Sequence, residues 1–146
     1  MANAGGANVI TGRCLCGNVR FQITGSLGPI VHCHCAQCRQ ATGTAFATNA
    51  NVRRDEIAFT SGFDGMTQYE SSPGKFRAFC SRCGSPMFSR SIDDPDNLRV
   101  RLGTLEQDPG GRPIVHVWVA DKAPWFEITD ELPQIAEPQP LRRRSE

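Results

Sequence analysis

Seven cysteines in three tight groups constrain this chain more than any other feature of it. They stand as Cys14-Leu-Cys16, as Cys33-His-Cys35-Ala-Gln-Cys38 and as Cys80-Ser-Arg-Cys83. Unligated core cysteines behave as small hydrophobes and scatter; these cluster. Thiols two or three residues apart can grip one ion, and Gly17 and Gly84, each directly after a pair, leave the backbone free to turn around it. Zinc suits such a set, because it takes thiolates at about 2.3 Å in a tetrahedral shell with no redox demand. An iron–sulfur cluster uses thiolates too. A redox dithiol at Cys35-Ala-Gln-Cys38 or Cys80-Ser-Arg-Cys83 is chemically reasonable, but such pairs usually stand alone on a βα turn. An odd number of cysteines cannot pair off completely, and residues 1–8 show neither the charged nor the apolar region of a secretory signal. Both point to a reducing cytoplasm.

The arithmetic of the groups carries further. Two pairs make one closed four-thiolate site and leave a group of three. A three-ligand zinc keeps an open fourth position, the usual mark of a catalytic or ligand-binding metal. Cys33, Cys35 and Cys38 close locally on one ion, while Cys14 and Cys16 would join Cys80 and Cys83 from far along the chain. Spacing alone leaves this partition open. His32 or His34 could supply a nitrogen ligand instead, although strand alternation points them away from the cysteines.

Around the cysteines the apolar period is two. Val19, Phe21 and Ile23 mark a strand over residues 18–24, and the same period recurs at Ile57 and Phe59, at Leu98, Val100 and Leu102, and at Val115, Val117 and Val119. Phe76 to Phe79 and Met87-Phe88 are shorter strand candidates flanking the third group. Ser72-Pro73-Gly74 and Asp108-Pro109-Gly110-Gly111 read as turns. The best helical stretch is Ala36 to Thr42, with Gly43 as its stop. The expectation is a mostly β single domain over residues 11–136, with a flexible N-terminus over 1–10 and a disordered Pro/Arg tail over 137–146. A net charge of +1 supplies no basic field for nucleic acid, and no apolar run approaches the roughly 18 residues that span a bilayer.

Gly12-Arg-Cys-Leu-Cys-Gly-Asn-Val19, Cys33-His-Cys-Ala-Gln-Cys-Arg39 with Thr42-Gly43, and Phe79-Cys-Ser-Arg-Cys-Gly84 together resemble the glutathione-dependent formaldehyde-activating enzyme family, which includes centromere protein V-like proteins. His116-Val-Trp-Val, Ala123-Pro-Trp125 and Leu132-Pro133 match more weakly. The resemblance implies a β-tent fold of small antiparallel sheets. It implies that Cys14, Cys16, Cys80 and Cys83 hold a structural zinc and that Cys33, Cys35 and Cys38 hold a second, functional zinc, two ions per chain. It also implies the reversible joining of glutathione and formaldehyde, a carbon–sulfur lyase reaction on a small thiol and an aldehyde. A non-catalytic zinc module or thiol carrier is the reading from another class. Methionine sulfoxide reduction, known on a related fold, would need a further free cysteine.

The chemistry fits an open zinc. A free thiol is only a few per cent thiolate at neutral pH, and contact with a metal lowers its pKa. Three thiolates weaken the Lewis acidity of the ion, which favours holding a thiol over activating a carbonyl. His34 could move a proton between thiol and oxygen, although a supporting or exposed role is the more ordinary one for such a histidine. Arg39 and Lys75 could bind carboxylates, against the more common solvated charge. Phe46, Trp118 and Trp125 could wall a pocket, against simple core packing.

Overall fold

Backbone pairing sorts the strands into two sheets. The computed structural model describes residues 9–138. Strands β1 (Val9–Arg13), β2 (Arg20–Thr24) and β5 (Ile57–Ser61) form a small antiparallel sheet in that order. The larger sheet contains β3 (Ile30–Cys33), β4 (Ala47–Arg53), β6 (Met66–Ser72), β7 (Lys75–Cys80), β8 (Pro86–Ser91), β9 (Asp94–Arg101) and β10 (Val115–Val117). Its spatial order is β10-β3-β4-β9-β8-β7-β6, antiparallel except where β10 runs parallel to β3. One helix, α1 (Ala36–Thr42), bridges β3 and β4. The chain is mostly β, as its apolar period requires.

The core lies where the two sheets face each other. Val19, Phe21 and Ile23 bury completely or nearly so against Val52, Met87, Phe88, Leu98 and Val100, and Cys14 and Cys80 belong to the same cluster. On β2 and β9 alternate residues supply this cluster, as a period of two delivers, whereas β8 buries the consecutive Met87, Phe88 and Ser89. Phe21 lies across Gly12, its partner on β1, so closely that a Cβ there would sit 2.1 Å from the ring.

The departures from the sequence expectation have local causes. β1 begins at Val9, ahead of the expected boundary at residue 11, because Ile10 pairs with Ile23 and closes one side of the core. The remainder of the N-terminal expectation, residues 1–8, and the Arg142-Arg143-Arg144 end of the tail lie outside the described residues. Leu102 and Val119, expected to continue strands, instead enter 3-10 turns. On β10 the buried position belongs to His116, with Val115 and Val117 half-buried on either side. The alternation was right in period and wrong in phase: the two valines are not what the strand buries. The helix runs from Ala36 to Thr42 as expected, and Gly43 ends it at a φ of 72°, in the left-handed region that favours glycine.

A bulkier side chain at residue 12 has to displace the Phe21 ring from a closed core. Gly12→Val is expected to destabilise the fold by roughly 1–3 kcal/mol, the usual cost of overpacking. Urea unfolding followed by circular dichroism measures it, and an unchanged midpoint would remove Phe21 from the list of core anchors.

Candidate metal centre

Two turns, each closed by a glycine, carry the four outer thiols. After Cys14 the chain reverses, with the Gly17 N–H donating to the Cys14 carbonyl at 3.1 Å and φ of Gly17 at 80°. After Cys80 the Gly84 N–H donates to the Cys80 carbonyl at 2.8 Å, and φ of Gly84 is 77°. Both glycines sit where a Cβ would be strained, as their position after each pair suggested. The turns meet, with the Leu15 N–H donating to Ser85 Oγ at 2.9 Å, and the sulfurs of Cys14, Cys16, Cys80 and Cys83 all lie within 4.8 Å of one another. The Cys14–Cys16 and Cys16–Cys80 sulfur distances are 3.6 and 3.8 Å. A tetrahedron with arms of about 2.3 Å has edges of about 3.8 Å, so the spacing is that of a thiolate-bound ion. The Val19 N–H donates to Cys14 Sγ at 3.2 Å, and Ser85 Oγ lies 3.1 Å from Cys83 Sγ. That hydroxyl, ahead of nearby backbone N–H groups, lowers the Cys83 thiol to about 5.

The inner group is built by the end of β3 and the start of α1. Cys33 is the last residue of β3, Cys35 caps the helix and Cys38 lies in its first turn. The cap bond runs from the Cys38 N–H to Cys35 Sγ at 3.3 Å. These three sulfurs also lie within 4.8 Å of one another, with no fourth His, Cys, Asp or Glu ligand among the described residues. The partition that spacing left open is therefore the one the fold makes. Soft thiols gathered at this separation fit a tetrahedral metal in both places.

Charge around the inner group is lopsided. Arg77 on β7 and Arg101 on β9 are buried, and Arg77 Nη1 donates toward Cys38 Sγ at 3.8 Å. Its other bonds go to Ser71 Oγ at 3.1 Å and Gln37 Oε1 at 3.3 Å, and Arg101 bonds Asn49 Oδ1. Thiol partners Cys33 and Cys35, and after them Arg77 and Arg101, hold Cys38 at about 2, far below an ordinary thiol. The same contacts with Cys35 and Cys38 push Cys33 up. One charge is thus taken readily, and further thiolates form there only when a cation balances them.

Histidine geometry differs from both simple readings of His34. His32, His34 and His116 form one cluster with Phe46, and their ring centroids lie about 5 Å apart. His34 is fully buried, and its Nε2 lies 2.8 Å from Nδ1 of His116. His116 Nε2 lies 2.9 Å from Asp130 Oδ2. Burial first, and His116 second, lower His34 to about 4. Neither His32 nor His34 joins the thiols, as alternation implied. Sequence reasoning did not single out Asp130, Arg77 or Arg101; the only signal for His116 was its place in the weakly matching His116-Val-Trp-Val text.

The remaining candidates divide. Burial lowers Lys75, so it is not a simple solvated charge, and the Arg39 Nε is buried without a partner. Trp118 packs on Cys33, Cys38 and Ala47. Trp125 is 70% exposed and lines an open cleft of about 540 Å³ with Lys122, Phe126 and Glu127, among others. No cysteine lines that cleft.

The family model of the glutathione-dependent formaldehyde-activating enzyme matches residues 9–121, both cysteine groups included. The chain belongs to this family. Its fold also resembles the crystal structure of a Rhodobacter sphaeroides protein, with a TM-score of 0.57 and 24% identity over 70% of this chain and 91% of that one. That likeness concerns the fold alone.

The two sites differ in what they hold together. Cys80→Ser removes one of the four thiols at which the two sheets meet, and a metal bound at such a group would be worth about as much as a whole domain's stability. It is expected to give insoluble or unfolded protein. Cys38→Ser is expected to leave a folded domain, by circular dichroism, that retains metal at the outer site only. Equal damage from the two changes would show that the sites share one structural task.

Proposed function

We propose that the chain is a zinc-dependent carbon–sulfur lyase that joins or separates a small thiol such as glutathione and an aldehyde such as formaldehyde. In this reading Cys14, Cys16, Cys80 and Cys83 hold a structural zinc, and Cys33, Cys35 and Cys38 hold a second zinc with one position open. The observation that carries it is the three-thiol group set beside two buried arginines. Three thiolates around a divalent ion leave one net negative charge, and Arg77 and Arg101 more than offset it. The site therefore favours an anionic fourth ligand, and a thiolate is the anion that soft metal chemistry selects. When bound, zinc supplies a position at which a substrate sulfur is held as thiolate at neutral pH. Arg77 holds Cys38 in place through sulfur, Ser71 and Gln37.

The working unit is one domain from Val9 to about Ala136, since the Ala120 N–H donates to the Ala136 carbonyl at 3.2 Å and the His116 strand bridges to Gln134. Among the described residues no helix is long and apolar enough to cross a membrane. A thiol-rich metal protein of near-neutral charge suits the cytoplasm, with a small thiol rather than nucleic acid as its partner.

Protein purified without chelator is expected to carry up to two zinc ions per chain by elemental analysis. Less than half an equivalent, or iron in its place, overturns the metal assignment. Cobalt substitution then makes the open position visible, because its absorption changes when glutathione enters as thiolate. Entry releases a proton, so binding should tighten as pH rises toward the thiol pKa of about 8.5. A lyase should also accelerate glutathione–formaldehyde exchange beyond the spontaneous rate, and Cys38→Ser should abolish the excess. Binding without acceleration identifies a thiol carrier instead. A cobalt spectrum indifferent to every small thiol removes the open site.

A further inference from the structure

The face of the large sheet turned away from the core is rich in cations. One row of paired residues crosses it: Tyr69 on β6, Arg77 on β7, Ser89 on β8, Arg99 on β9 and Asn51 on β4. Side chains alternate along a strand, so Lys75 and Arg101, each two residues from this row, share the face. Phe88, Leu98 and Val100 fill the opposite face with core. Arg77 Nη1 donates toward Cys38 Sγ, so the cationic face continues into the three inner thiols. Burial lowers Lys75, and the charges acting on it are those of Arg77, Cys38, Arg99 and Cys35. Burial lowers Arg101 too, and there the charges are Cys38, Arg77, Cys33 and Cys35. No carboxylate is among them.

Elsewhere arginines find acids: Arg53 meets Asp55 at 2.9 Å and Arg112 meets Asp108 at 2.8 Å. On this face the partners are neutral or missing. Arg77 donates to Ser71 and Gln37 besides the thiol, and Arg101 donates to Asn49. Arg101 is only 6% exposed, and its Nε is buried without a partner. Among the described residues the side chains of Lys75 and Arg99 make no hydrogen bond. Glu70 accepts from the Gly74 N–H instead, and Asp94 from Asn97. Unmet buried donors beside unpaired cations mark a missing anionic ligand.

We propose that this face selects the substrate of the inner site: a thiol that carries two carboxylates and no ammonium. Its sulfur goes to the three-thiol ion and its carboxylates to Lys75 and Arg99. The choice rests on the reading of the inner group as an open zinc that takes a thiol. Charge fixes the count. Three thiolates and a divalent ion leave one negative charge, and the buried Arg77 and Arg101 supply two positive ones. A substrate thiolate brings that buried part to neutrality. Lys75 and Arg99 remain, both half-buried, and each can take one carboxylate in a charge-assisted bond. Cys35 is the inner thiol that is not fully buried, so the site opens on the side where Lys75 feels it. An ammonium would meet four cations and no acid there, which makes glutathione a poorer fit than a mercapto-dicarboxylate.

Three thiols added at low salt to the cobalt-substituted full chain test this: mercaptosuccinate, its dimethyl ester and cysteamine. Each is titrated against the cobalt absorption, so no turnover is needed. Mercaptosuccinate is expected to bind about tenfold or more tighter than the ester, with cysteamine weakest. Equal affinity of acid and ester overturns the proposal. A carboxylate can also chelate the metal, so Lys75→Gln and Arg99→Gln are measured beside the parent. Circular dichroism checks that both variants fold, and neither has a side-chain hydrogen bond to lose. The acid's advantage over the ester should shrink in each variant. An advantage that persists in both belongs to chelation and overturns the role of the face. If either variant fails to fold, added salt on the parent takes its place, since it weakens half-open ion pairs. The advantage should then fall, and one indifferent to salt overturns the proposal. Three thiols binding without charge preference sink this inference and leave the open site standing. A spectrum unmoved by all three sinks the open site, and this inference with it.

Discussion

Four thiols held within 4.8 Å of one another cannot all ionise unless a cation stands between them, and the two halves of this chain meet at such a point. Cys14 and Cys16 lie just beyond β1 on the small sheet, while Cys80 ends β7 on the large one and Cys83 lies just beyond it. Cys16 and Cys80 are 64 residues apart in sequence and 3.8 Å apart at sulfur. Closing so long a loop is entropically costly, though the cost rises only slowly with length. A metal held by both ends would supply the compensation, and Cys14 and Cys80, themselves in the apolar core, would pass that fixation to Val19 and Met87 around them. The inner group is built within the large sheet, where β7 and β9 carry Arg77 and Arg101 toward the thiols at the end of β3 and the start of α1.

Electrostatics then divides the labour between the sites. Hydroxyl and backbone donors soothe the outer thiols: Val19 N–H at Cys14 and Ser85 at Cys83. Neutral donors of this kind suit a closed ion whose charge is met by four ligands. Around the inner thiols the Cys38 N–H donates to Cys35 and the buried guanidinium of Arg77 to Cys38, and a buried guanidinium is costly to desolvate unless an anion meets it. Burial lowers Arg101 itself, in the direction that cost dictates.

The cysteines made the site legible because a ligand group is local: Cys33 to Cys38 close on one point with only a strand end and a helix turn between them. The helix was legible for the same reason, with Cys35 as its cap and Gly43 as its stop. The strands β3, β4 and β6 were not marked. β4 reads Ala-Thr-Asn-Ala-Asn-Val-Arg, small and polar residues of weak strand propensity that form a central strand because β3 and β9 flank it. Asp130 escaped notice since it lies in an irregular segment, which reaches its partner His116 through the bridge of that residue to Gln134. Buried arginines are equally hard to read, because sequence gives a charge no sign that it will lose its water.

His116 shows how such a misreading arises. Between two valines, it has the pattern of the exposed side of a strand whose apolar positions face inward. The strand is only three residues long, its valines are half-buried, and the histidine is the residue turned fully inside. Burying an imidazole costs free energy that a valine would not, unless both nitrogens are satisfied. Here they are, by Asp130 on one side and His34 on the other. His34 in turn has only one nitrogen satisfied. A chain of hydrogen bonds that starts at a surface carboxylate and stops at an unmet buried nitrogen is not needed to hold β10 to β3, since the backbone pairs already do that. The cluster packs one face of β3, where Phe46 and His116 meet His34. Ala47 and Val117, their chain neighbours, meet the thiols on the other, so one short strand keeps the imidazoles and the thiols apart.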